Sequence, residues 1–245
     1  MSLRRLLFAV ISLAAVVTVS AKDDPKSRHI QAVLFSGDTI TGYLHFNLKT
    51  RLKNMFSKSG SIIQYITVGE QPKGGETKRY SASEIKEYRF LEPTEGYPEG
   101  ALVISENINS PVPFKPNHSV RGFVDVLDQR DSGSILWWQL WDSTGGQYST
   151  RRLVPVIGVK FKGAKAAYAL FVNGLNSSAY LFNYLKKIDP EFKKYLEDYY
   201  NKGKDANAHR KELKDNPSTI LTLYEEYMKN NPPLNDPEEN TLPKK

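Results

Sequence analysis

The sequence predicts an α+β fold, with an N-terminal antiparallel β barrel or sandwich-like region followed by a C-terminal cluster of two or three short amphipathic helices. Two observations carry this expectation. Between His29 and Val172, short β-rich runs recur with Gly, Pro, Asn and Asp between them, at a spacing that suits antiparallel rather than parallel pairing. After Asn173-Gly174 the apolar period changes, and Leu181, Leu185 and Ile188 fall at i, i+4 and i+7.

Taken in order, His29–Phe35 and Thr39–Phe46 read as a hairpin around Ser36-Gly37-Asp38. A basic stretch from Leu48 to Ser59 has helical character, and Ser61–Val68 is the third strand. Gly69 to Gly75 is turn chemistry. Ser81 and Glu84 have capping-box spacing, which predicts a single helical turn before the strand Glu87–Leu91. A Pro/Gly-rich loop, 92–100, leads to the strand Leu102–Ile108, and Pro111, Pro113 and Pro116 then interrupt the chain. Val120–Leu127 and Ile135–Trp141 pair around the turn Asp131–Ser134, and Leu153–Phe161 and Ala166–Val172 pair around Lys162-Gly163. Beyond residue 174, Pro190 and Pro217 each suit a helix first turn. Apolar residues follow on one face: Phe192, Tyr195, Leu196, Tyr199 and Tyr200, then Ile220, Leu221, Tyr224, Tyr227 and Met228. The expected division is a leader at 1–21, a mainly β domain at 22–174, a helical region at 175–230 and an unordered tail at 231–245.

The leader is expected to direct export. Arg4 and Arg5 precede an apolar run, Leu6 to Val19, and Val19-Ser20-Ala21 places small residues before Lys22. A membrane-spanning helix needs about 20 apolar residues, more than this run supplies. There is no cysteine, so disulfides, thiolate metal sites and cysteine nucleophiles are excluded. Export without disulfides favours a bacterial periplasm or cell surface over an animal secretion.

The formal charge is +7, yet from residue 186 onward 12 basic residues meet 12 acidic ones. The surplus sits earlier, in two stretches free of acid: Lys49, Arg51, Lys53 and Lys58, then Arg151, Arg152, Lys160, Lys162 and Lys165. Such a face attracts anionic polysaccharide, lipid headgroups or nucleic acid; as a plain solvated rim it keeps the chain soluble.

No catalytic motif emerges. His29, His45, His118 and His209 lack metal-ligand spacing, and neither a serine nucleophile elbow nor a phosphate-binding glycine loop is present. No cofactor or metal is expected. Asp125, Asp128 and Asp131 are the acidic cluster nearest a hairpin, and a solvated loop end is their simplest reading. Trp137 and Trp141 fall on one strand face and Trp138 on the other. They are read either as core or as an aromatic platform for sugar rings. The tyrosine-rich helix face reads as helix packing. Asp38-Thr39-Ile40 and Asp142-Ser143-Thr144 resemble O-glycosylation acceptors, and Asn117 and Asn176 lie in sequons.

The hairpin Val33-Leu-Phe-Ser-Gly37-Asp-Thr-Ile40-Thr-Gly42-Tyr43-Leu44, with Tyr80 to Lys86 downstream, resembles the opening of exported Gram-negative bacterial proteins of unknown function. In those, helices close the chain, and the resemblance transfers no active site. The same hairpin also looks like the start of Sm-like barrels, although export makes an RNA partner unexpected.

The expectation is therefore a non-enzymatic binding or interaction module of the bacterial envelope, with a glycan or other polyanion as ligand. Its candidate surface residues are Trp137, Trp138, Trp141, Arg51, Arg151 and Arg152. The alternative is an envelope polysaccharide hydrolase whose two carboxylates meet only in the fold.

Overall fold

A computed structural model describes residues 28–45, 62–94, 96–109, 119–142, 152–172, 175–176, 178–201 and 205–235. The leader, the basic stretch 48–59 and the tail beyond residue 235 lie outside the described residues.

The class is α+β, with the helices at the C-terminal end. The strands are β1 (His29–Leu34), β2 (Thr39–Leu44), β3 (Tyr65–Gly69), β4 (Thr77–Ser81), β5 (Ile85–Phe90), β6 (Leu102–Asn109), β7 (Ser119–Arg130), β8 (Gly133–Asp142), β9 (Arg152–Phe161), β10 (Ala167–Val172) and β11 (Leu175–Asn176). Four helices follow among the described residues: α1 (Ala179–Ile188), α2 (Pro190–Asn201), α3 (Ala206–Asp215) and α4 (Thr219–Met228).

All strands join one sheet, in the order β11-β10-β9-β8-β7-β6-β5-β1-β2-β3-β4. The sheet is mixed rather than purely antiparallel, because β10 also pairs in parallel with β6, through Ala167 opposite Ile108 and Tyr168 opposite Asn109. That pairing makes β6-β7-β8-β9-β10 a closed circuit. A second closure involves β7. Its first half, Ser119 to Asp125, bonds β6 on one edge, whereas β8 takes its other edge only from Asp125 to Arg130. The segment just before β3 fills the vacant edge. Phe123 N donates to Ile63 O at 2.8 Å, and Gln64 Nε2 donates to Arg121 O at 3.4 Å. The two circuits therefore share β6 and β7.

Three apolar cores follow from strand alternation. Ile108, Val120, Val124, Leu136, Trp138, Val156, Ala167 and Ala169 fill the first circuit, and Ile62 joins them from the segment before β3. Ile30, Ala32, Leu44, Ile66, Ile85, Tyr88, Phe90 and Phe123 fill the second. The opposite face of β9 and β10 packs against the helices, where the Phe161 ring meets Phe192 edge-on at 5.2 Å and Tyr224 at 4.7 Å.

Local chemistry sets the helix ends and ties the helices together. Asp189 Oδ1 accepts from Phe192 N at 2.8 Å, capping α2 just before Pro190. The Tyr227 hydroxyl donates to Asp189, Tyr195 to Glu226 and Tyr199 to Glu212. At the β7–β8 turn, Arg130 Nη1 donates to Thr222 Oγ1 at 3.0 Å and Ser132 Oγ donates to Glu225 at 2.7 Å, clamping that hairpin on α4.

Several expectations need correction. Among the described residues the C-terminal cluster holds four helices, not two or three. Sequence periodicity underweights α3 because Leu213 is its one buried residue. Ser81 and Glu84 do meet, but one-sidedly, with Glu84 Oε2 accepting from Ser81 N and Oγ at 2.7 Å each; the contact closes the β4–β5 turn and starts no helix. The strand β4 was not anticipated. The β7–β8 turn needs only Asp131 and Ser132. Leu234, in the stretch expected to be unordered, is buried against the β9–β10 turn, where a Cβ on Gly163 (φ +82°) would overlap the Leu234 carbonyl.

Gly122 is required by the second closure, because a Cβ there would overlap the Ile62 side chain. Gly122→Ala is expected to lower stability by about 1–3 kcal/mol, the usual cost of overpacking. Ile62→Ala in the same chain should return part of that loss, although it is destabilising alone. Denaturant melts of the double-mutant cycle read this coupling.

Candidate functional site

The side chains best placed to meet a ligand lie on the outward face of β5, β1 and β2. Alternation sends Ile30 and Ala32 inward and leaves His29 and Gln31 outward. Register then aligns three exposed hydrogen-bonding groups: Arg89 opposite Gln31, and Gln31 opposite Thr41. Beside them, His29 lies opposite Tyr43, and their rings stack at 4.5 Å with 14° between planes. One strand further, Tyr65 carries the Arg79 guanidinium over its ring at 5.8 Å. The face thus offers guanidinium, amide and hydroxyl groups next to a stacked ring pair. This combination suits a polyhydroxylated or anionic ligand.

This face was missed from the sequence, although alternate positions of the opening hairpin carried the signal. His29, Gln31, Thr41 and Tyr43 are its polar and aromatic members.

Two groups of the face are tied to the loop 91–100. Arg89 Nη1 donates to Gly100 O at 3.5 Å, and His29 Nδ1 lies 3.7 Å from Glu92 Oε1. On the inner side of the sheet, the same loop inserts Tyr97. Its ring stacks on Phe90 at 4.4 Å, and its hydroxyl donates to Asp125, 3.3 Å from Oδ1 and 3.2 Å from Oδ2.

Asp125 is therefore not the solvated loop-end acid that its neighbours in sequence suggested. It points into the second core from mid-β7, while Asp128 pairs with Arg130 at 3.0 Å and Asp131 is exposed in the turn. Burial pushes the Asp125 carboxyl up to about 6, and the hydrogen bond from Tyr97 pulls the other way. Burial also raises the Tyr97 phenol, with Asp125 adding to the effect and Arg28 opposing it. A contrasting buried carboxyl, Glu106 on β6, meets the Lys160 ammonium at 2.6 Å.

Of the predicted surface residues, Trp137 and Trp138 are the two whose side chains are described. Trp138 is 2% exposed, with its ring where a Cβ on Gly158 would sit, so it presents no surface to a ligand. Trp137 is half-buried on the opposite side of β8, directly across from Asp125. Trp141 and Arg152 lie in β8 and β9, and their side chains are outside the described ones, as are Arg51 and Arg151 entirely. Of the second basic stretch, Lys160 is engaged by Glu106 and Lys162 is exposed.

The remaining motifs have local partners. His45 Nε2 bonds Gln71 O at 2.8 Å, and His209 stacks on Tyr199 at 4.2 Å. Asn176 Oδ1 accepts from Ser178 N at 2.9 Å, ahead of α1. Thr39 is exposed beside the β1–β2 turn, whereas Asn117, His118, Ser143 and Thr144 lie outside the described residues. Among the described residues no three His, Asp or Glu side chains converge as a metal site, and no helix is long and apolar enough to cross a membrane.

Because the Asp125 carboxyl is raised in the folded chain, its ionisation opposes folding. Its share of stability is fully present below pH 4 and is lost as pH rises through about 6. Asp125→Asn, which keeps an acceptor for Tyr97, should match the parent near pH 4 and exceed it by about 3 kcal/mol at pH 7. Parallel denaturant titrations across that range check it, and a pH-independent difference would contradict the assignment. No protein-family model matches the chain, and comparisons with curated proteins and with solved structures return no similar protein.

Proposed function

We propose that the chain is an exported binding module of the bacterial envelope whose β5–β1–β2 face takes a glycan or other polyanion. The observation that supports this most directly is the alignment of Arg89, Gln31 and Thr41 on three neighbouring strands beside the His29–Tyr43 stack. Bidentate guanidinium contacts suit carboxylate or sulfate groups on a sugar, and amide and hydroxyl groups suit its hydroxyls. On this reading the two strand circuits are two small barrels fused through β6 and β7, a rigid support for an open face. Rigid strands hold such groups in place better than loops do.

A second reading, polysaccharide hydrolysis by two carboxylates, draws on one observation. Asp125 is held near 6, in the range a general acid needs.

Dextran sulfate and neutral dextran of equal length separate the expected outcomes. Dextran sulfate should bind with an affinity that falls as salt rises, and Arg89→Ala should weaken it about tenfold or more. Gln31→Ala should weaken it less. Equal binding by the parent and Arg89→Ala, read by titration calorimetry, would remove the face from the proposal. Release of reducing ends from an anionic glycan, abolished in Asp125→Asn, would favour the hydrolase instead.

A further inference from the structure

The loop 91–100 runs between the two sides of the second sheet half. Above the sheet it meets Arg89 through Gly100 and lies beside His29 through Glu92. Below it, Tyr97 is wedged between Phe90 and Asp125. Two short backbone links hold its tip, Thr94 N to Tyr97 O at 2.8 Å and Tyr97 N to Thr94 O at 3.0 Å. Its return is fixed by Gly100 N to Phe90 O at 2.8 Å. The loop is exposed along most of its length, so Tyr97 is its anchor.

We propose that this loop is a proton-sensitive latch, closed while Asp125 carries a proton and loosened when it ionises. Its consequence for ligand binding rests on the reading of the β5–β1–β2 face given above; the latch itself does not. Among the described residues, the charged and titratable groups around the carboxyl are few. Tyr97 reaches it from the loop and Tyr88 from β5, both as neutral phenols; its strand neighbours are Val103 on β6 and Trp137 on β8. Arg28 acts on Tyr97. When the carboxyl ionises, a phenol hydroxyl is the donor it has in place, and a buried anion held in that way is costly. Lifting Tyr97 away admits water to Asp125, which offsets that cost. The same movement carries Gly100 and Glu92 away from Arg89 and His29, changing the polar face at the side chains they touch. A binding module of this kind would hold its face in one arrangement in acid and release it towards neutrality.

The test is amide hydrogen exchange of the full chain without any ligand, following the amides of Thr94, Tyr97 and Gly100 between pH 4 and pH 7. Rates are divided by the intrinsic exchange rate at each pH. In the parent, the opening constant of these amides should rise by up to about 100-fold as pH increases, the ratio set by a carboxyl that moves from about 6 when closed to its ordinary value when open. In Asp125→Asn it should stay flat. In Tyr97→Phe, which keeps the ring on Phe90 but removes the donor, opening at pH 7 should exceed that of the parent. Parent and Asp125→Asn profiles that coincide across the range would overturn the latch. Because no ligand is present, that result is independent of the dextran sulfate experiment. Pronounced pH dependence together with absent binding would uphold the latch and overturn only the reading of the face.

Discussion

A strand has two edges, and the architecture turns on how β7 uses its second one. Along Ser119 to Val124 it does not pair with β8, which reaches it only from Asp125 onward. An unpaired edge in that position would leave buried amides without acceptors, at a cost of a few kcal/mol. Ile63 and Gln64 supply the missing partners. Each core depends on this arrangement. Ile62 enters the first circuit, Phe123 enters the second, and the far end of β7 carries Arg130 to the helices. The absence of a side chain at Gly122 is what lets the two segments approach so closely.

Much of this was legible locally, and little of it at long range. The opening hairpin, the pair around Lys162-Gly163 and helices α1, α2 and α4 carry their period in their own residues. The strand β4 does not, since Thr77, Lys78 and Arg79 are all exposed and Tyr80 is its one fully buried residue. That composition suits an edge strand, where charge discourages pairing with another chain. The β6–β10 pairing left no trace in either segment, because a parallel contact of two residue pairs imposes no pattern. The site residues show the same divide. Alternation separates Trp138 from Trp137 and Trp141 but does not say which face is buried, and it is Gly158 on another strand that makes room for the Trp138 ring. Asp125 looked solvated beside Asp128 and Asp131, and a tyrosine 28 residues upstream buries it.

Glu106, which is buried, and Asp125, which is half-buried, show how one fold can treat the same chemical group in opposite ways. Glu106 is given an ammonium at 2.6 Å and a backbone amide, from Asn107, at 2.7 Å. Asp125 is given a phenol shared between its two oxygens. Truncating either partner of the first pair would strand a charge, whereas in the second the charge itself is the destabilising element. Glu106 therefore belongs with the permanent framework, and Asp125 with what can change.

The seam between Gly163 and Leu234 has its own consequence. Tyr224 takes the Leu234 amide at 2.8 Å and donates its hydroxyl proton to Lys162 O at 3.3 Å, so one phenol joins Leu234 to a turn made about 70 residues earlier. The aromatic cluster of Phe161, Phe192 and Tyr224 is sealed only once that seam forms. During synthesis, β9 and β10 must wait for all four helices before their outer face is covered. A chain interrupted before Leu234 would present a sticky ring cluster to proteases and chaperones, which makes synthesis through this seam a checkpoint for its survival.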